Sequence, residues 1–221
     1  MAGNNAGRIR WAKRKKGLCY LAKMRFIVFD GIDGCGKTTI AKMIKEYLRK
    51  KNYKVFLTHE PNENTKTGKK IKEIITKKQM SRNFWKVLFT QARIEHIENI
   101  IKPKLEKNFI VICDRYYYST LAYQMNEKEW KDYLRKYNFL KPDLAFILDV
   151  NTNIALHRLK KRKKKKTVFE KYGFLEKTRK KFLEIYKKKN ELKENLWLID
   201  ANQPKLKVFS DIKKIIDIFI R

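Results

Sequence analysis

The chain reads as an α/β protein with a three-layer α/β/α fold on a five-stranded, mostly parallel sheet. Three observations predict this. Short β-branched and aromatic runs alternate with helical patterns along all 221 residues, which implies a sheet covered on both faces. A glycine-rich loop joins the first run to the first helix. Residues that carry chemistry sit just past the strand-like runs, at Asp30, His59-Glu60-Pro61, Asp114-Arg115 and Asp149. Ligands collect there in open α/β sheets.

The strand-like runs are Phe26–Phe29, Lys54–Thr58, Phe109–Cys113, Leu144–Val150 and Leu196–Ile199. Helical spacing appears over Ile40–Leu48, Gly68–Thr76, Asn83–Leu105, Asn151–Arg162, Phe169–Lys189 and Val208–Phe219. No repeat and no long linker divides them, and the length suits one domain.

Gly31 to Thr38 fit G-x-x-x-x-G-K-[ST] between a strand and a helix. Glycines let the backbone curl so that successive N–H groups face one phosphate. The helix N-terminus adds partial positive charge. The motif therefore predicts a P-loop NTPase in which Gly31, Ile32, Asp33, Gly34, Cys35, Gly36, Lys37, Thr38 and Thr39 cradle ATP. Lys37 reaches the β- and γ-phosphates and Thr38 holds Mg²⁺. Asp114 ends an apolar run, where an acid organises Mg²⁺ beside such a loop. Arg115 follows, and its guanidinium fork suits a phosphate.

Bulk properties set bounds. Hydrophobic residues make up 43% of the chain, enough for a globular core. No apolar run reaches membrane-spanning length. The formal net charge is +32. It attracts polyanions, or it reflects a lysine-rich composition of the kind found in heat-adapted proteomes. The even spread of lysine favours composition, and no helix-turn-helix, zinc-finger or RNA-recognition signature accompanies it, so no specific nucleic-acid partner is expected. Three cysteines, Cys19, Cys35 and Cys113, lack metal-site spacing and form no even set for disulfides. A reducing, cytoplasmic setting fits. Residues 1–23 carry seven basic side chains and no acid. They read as a basic extension that is either mobile or not native, with Met24 as the alternative start.

One family brings these segments together. Phe29-Asp30-Gly31-Ile32-Asp33-Gly34-Cys35-Gly36-Lys37-Thr38-Thr39 is followed by Glu60-Pro61 and by Phe89-Thr90-Gln91-Ala92-Arg93. Asp114-Arg115-Tyr116-Tyr117-Tyr118-Ser119-Thr120-Leu121-Ala122-Tyr123-Gln124 and Pro142-Asp143-Leu144 complete the order. Over residues 24–221 the chain resembles the thymidylate kinases, P-loop enzymes that phosphorylate dTMP to dTDP with MgATP in dTTP biosynthesis. The resemblance implies roles. Asp33 would hydrogen-bond the sugar 3′-hydroxyl and Phe89 would stack on thymine. Arg93 would hydrogen-bond the base, and Arg115 would grip the acceptor phosphate. Ser119 would line the base site, and Tyr123 would pack under the deoxyribose. By residue type alone, Phe89 and Tyr123 also suit core packing, Ser119 an ordinary helix position and Arg93 a surface helical charge.

Eight cations among the nine residues 158–166 resemble the family's basic helical lid, about residues 158–172. Some members carry a catalytic arginine in the phosphate loop; this chain has Gly34 there. The resemblance therefore assigns catalysis to Lys37, Asp114, Arg115 and a lid cation, either Arg158 or Arg162. It also implies a homodimer. His59 stands where many bacterial relatives have arginine, which removes one acceptor-side cation. A kinase for another nucleoside monophosphate is the alternative, and a nucleic-acid-stimulated ATPase a more distant one.

Overall fold

The computed structural model describes residues 25–77, 80–161 and 172–220. The basic extension, Arg162 and most of the expected lid lie outside the described residues. Five strands form one sheet: β1 (Phe26–Asp30), β2 (Val55–His59), β3 (Ile110–Asp114), β4 (Leu144–Asp149) and β5 (Leu196–Asp200). Their order is β2-β3-β1-β4-β5, and every pairing is parallel.

The apolar runs explain the order. β1 and β3 are buried along their whole length, and β4 all but its last residue. Continuous apolar strands of this kind belong inside a sheet covered on both faces. β2 and β5 keep exposed residues, as edge strands do.

Nine helices flank the sheet among the described residues: α1 (Lys37–Lys50), α2 (Lys66–Ile74), α3 (Arg82–His96), α4 (Lys102–Glu106), α5 (Tyr117–Gln124), α6 (Glu127–Tyr137), α7 (Thr152–Lys160), α8 (Tyr172–Lys187) and α9 (Lys205–Phe219). α1 packs on α9 and against β2 and β3, while α5 packs between α3 and α8. The span expected as one helix, Asn83–Leu105, widens into a π-helical segment at Ile97–Ile101 before α4. Pro103 accounts for this. It has no N–H and its ring crowds the preceding turn.

α5 lacks a readable period because seven of its eight residues are buried, and a helix buried all round has no polar face. α6 carries the signal that α5 lacks. Asn126 and Glu129 form a reciprocal capping box at its start, and Asn138 ends it in the left-handed conformation.

Candidate active site

The cleft lies at the carboxyl ends of β1, β2 and β3. Phe29 of β1 pairs with Asp114 of β3, and Asp114 pairs with His59 of β2. That register sets the phosphate loop beside Asp114 and Arg115. In the loop Gly31, Gly34 and Gly36 have φ of 140°, 85° and 101°. A Cβ at Gly34 would stand 2.5 Å from the Ala155 carbonyl oxygen, so only glycine fits that close approach.

Lys37 opens α1 and folds back under the loop. Its ammonium donates to the Gly31 and Ile32 carbonyls at 3.0 and 2.9 Å. The Thr38 hydroxyl donates to Asp114 Oδ2 at 2.5 Å. The two residues expected at the metal therefore meet beside the loop.

Asp30 ties the loop to the acceptor side. It is fully buried. Its Oδ1 accepts from the Gly31 N–H and the Ser119 hydroxyl, and its Oδ2 from the Tyr116 and Ser119 N–H groups. Burial raises its pKa, and Arg115, Lys37 and these donors offset only part of that.

Arg115 follows with φ 75°, an uncommon region for a residue with a side chain. That turn aims its guanidinium into the cleft. One arm pairs with Asp33, and the other donates to Ser119 Oγ at 3.0 Å. The guanidinium also lies 5.5 Å from the Tyr123 ring centroid. The Tyr123 hydroxyl donates to Asp33 Oδ2 at 3.1 Å. Burial, reinforced by the Asp33 charge, pushes the Tyr123 phenol well up.

A cavity of about 150 Å³ opens here. Asp33, Phe89, Arg93, Arg115, Ser119 and Tyr123, drawn from three separate stretches of sequence, all line it. Phe89 is half-buried and packs against Trp85 at 5.7 Å. Arg93 is buried against Glu60. Residue patterns alone had not marked Ile75, Thr120 or Gln124 as lining this cavity. A wider cleft shares Asp33, Glu60, Pro61, Ile75 and Arg115 with the cavity and adds Lys37, Thr38 and Asp114.

Across the loop, Cys35, Gly36, Thr39 and Arg158 line a third hollow with Ala201 and Gln203. Arg158 donates to the Ala201 carbonyl at 3.1 Å. The structure therefore sets Arg158 on the far side of the loop from the Asp33–Arg115 cavity.

With this geometry in view, the comparisons with known proteins agree. The family model for thymidylate kinase matches residues 29–212. The chain belongs to the thymidylate kinase family. It is 34% identical over 198 residues to a thymidylate kinase of Thermosipho melanesiensis, covering 87% of this chain and 97% of that one. It is 40% identical over 198 residues to a probable thymidylate kinase of Archaeoglobus fulgidus, covering 88% and 95%. A probable thymidylate kinase of Staphylothermus marinus is 38% identical over 196 residues, covering 86% and 94%. Membership places the chain in a kinase family.

Proposed function

We propose that the chain transfers the γ-phosphoryl group of ATP to the 5′-phosphate of dTMP, giving ADP and dTDP for dTTP synthesis. The observation that carries this is the single cavity lined by Asp33, Phe89, Arg93, Arg115, Ser119 and Tyr123 next to Lys37, Thr38 and Asp114. Phe89 offers a ring face to a base, and Arg93 brings donors to its edge. Asp33 accepts from the sugar 3′-hydroxyl. Tyr123 closes the floor where a 2′-hydroxyl would have to go. Arg115 exchanges part of its Asp33 pair for the acceptor phosphate.

Thr38 and Asp114 form a hard oxygen pair beside the loop, a donor set that fits Mg²⁺. Bound there, Mg²⁺ supplies charge neutralisation to the phosphates. No protein nucleophile is required, because the acceptor phosphate is already anionic. Catalysis rests on alignment and fixed charge. The loop N–H groups and Lys37 hold the donor phosphates, and Arg115 holds the acceptor in line. Arg158 contacts the donor nucleotide from the far side of the loop. Arg162, outside the described residues, remains the second lid candidate for the transferring group.

We also read the enzyme as a cytoplasmic homodimer. The free, buried state of Cys35 and Cys113 supports a reducing setting. No helix among the described residues is long and apolar enough to cross a membrane.

The test is ADP formation from MgATP with dTMP, dUMP, dCMP and dAMP in turn, and with DNA or RNA as control. Rapid turnover with dTMP and little with the others supports the proposal. Turnover with another monophosphate reassigns the base pocket. Hydrolysis stimulated only by nucleic acid overturns the kinase reading.

A further inference from the structure

Behind the cavity wall a second row of buried side chains holds Arg93. Its Nε and Nη2 both reach Glu60 Oε2, at 2.8 and 2.7 Å. Its Nη1 donates to Thr120 Oγ1 at 3.0 Å. The guanidinium lies 5.5 Å from the ring centroids of both Tyr116 and Phe139. Glu60 has a second oxygen, and His96 takes it. His96 Nδ1 lies 3.3 Å from Glu60 Oε1, and its Nε2 lies 2.7 Å from Thr58 Oγ1. His96 has no solvent exposure.

The hydrogen bonds assign the tautomer. Asn62 accepts the Asn64 N–H through Oδ1, so its amide nitrogen faces Thr58 and donates to Oγ1 at 3.0 Å. The Thr58 proton is then free to point at His96 Nε2. Glu60, held by a guanidinium, is a carboxylate that only accepts. His96 Nδ1 must therefore carry the ring proton facing it; a lone pair there would oppose the carboxylate. Donation runs from Asn62 through Thr58 and His96 to Glu60, and Arg93 donates to Glu60 from the other side.

Glu60, His96 and Cys113 also bring metal-ligand atoms within 4.8 Å of one another. Arg93 already gives Glu60 its cation, and burial pushes the Cys113 thiol well up, away from the thiolate a metal needs. The cluster is therefore built around a guanidinium.

We propose that His96 is a positioning residue for acceptor recognition: through Glu60 it fixes the guanidinium plane of Arg93 against the base in the cavity. This rests on reading the cavity as the acceptor-base site. A long cationic side chain has many rotamers, and orienting it in advance removes that cost from binding. His96 touches no reacting atom, so its loss weakens acceptor binding rather than the transfer step.

The experiment uses the ¹⁵N-labelled full chain and compares wild type, His96→Leu, His96→Asn and His96→Gln. The Arg93 Nε–H resonance reports the positioning directly. Steady-state kinetics with MgATP and dTMP report its consequence. His96→Leu should move that resonance and raise KM for dTMP about tenfold, with KM for ATP and kcat within about twofold. His96→Asn, whose amide N–H replaces Nδ1–H, should restore most of the loss. His96→Gln places its amide at the Nε2 position and should not. An unmoved Arg93 resonance, or kcat and both KM values changing together, overturns the inference. If His96→Leu does not fold, equal KM values for the Asn and Gln variants overturn it instead. If wild type does not phosphorylate dTMP, the acceptor reading falls, and the Arg93 resonance alone decides whether His96 positions it.

Discussion

Gly34 of the phosphate loop lies against the backbone of Ala155 in α7, leaving no room for a Cβ. The close contact ties the loop to the helix that bears Arg158. Gly34→Arg should therefore destabilise the fold by at least about 2 kcal/mol, through the clash and the positive φ. It should lower kcat rather than add a useful cation. Thermal melts and initial rates check this, and a stable, faster variant would contradict it.

Lys37 is held between two loop carbonyls, so its charge stands ready before any phosphate arrives. Lys37→Ala should lower kcat about a thousandfold, the scale for losing one preorganised charge contact. The far-ultraviolet circular dichroism spectrum should stay unchanged. Retained turnover would remove Lys37 from the mechanism.

Phe89 both packs on Trp85 and faces the cavity. Phe89→Ala should raise KM for dTMP about tenfold through lost stacking and apolar contact, with KM for ATP within about twofold. Equal changes in the two constants would assign Phe89 to packing alone.

Thr38 and Asp114 share a short hydrogen bond that a divalent ion would replace. Thr38→Ala should raise the Mg²⁺ concentration giving half-maximal rate by about tenfold or more, with the melting temperature little changed. An unchanged Mg²⁺ titration would place the ion elsewhere.

Glu129 closes the capping box of α6. The Asn126 N–H holds its carboxyl below the usual range; burial opposes this, and Lys86 and Arg82 add to it. A depressed carboxyl contributes stability above its unfolded value of about 4.3 and loses it as pH falls through the folded value. Glu129→Gln should therefore melt below wild type at pH 7. That gap should close towards pH 3. A gap independent of pH would refute the ionic part of the cap.

Much of the fold was legible because β1, β3 and β4 are unbroken apolar runs and the loop motif is local. Two helices went unread: α5, which is buried all round and has no period, and α6, despite its capping box and amphipathic spacing. The site divides in the same way. Lys37, Thr38 and Asp114 follow from residue type next to a strand end. Phe89 and Tyr123 look like ordinary core aromatics in sequence, and both do pack as such; only the family pattern singled them out. Asp30, Glu60 and His96 owe their roles to partners far along the chain. Asp30 meets Ser119 89 residues away, and Glu60 meets His96 36 residues away. No short-range pattern encodes such pairs.

Lysines outnumber arginines 42 to 13 in this chain. Yet three arginines among the described residues make two-pronged contacts to side chains: Arg93 on Glu60, Arg115 on Asp33 and Ser119, and Arg179 on Asp149. A planar fork meets a carboxylate in a set orientation, whereas an ammonium is a point charge. At these three sites the cation is aimed as well as present. Exposed lysines are open to replacement for solubility or crystallisation, while an arginine-to-lysine exchange at these three sites would keep the charge and lose its direction.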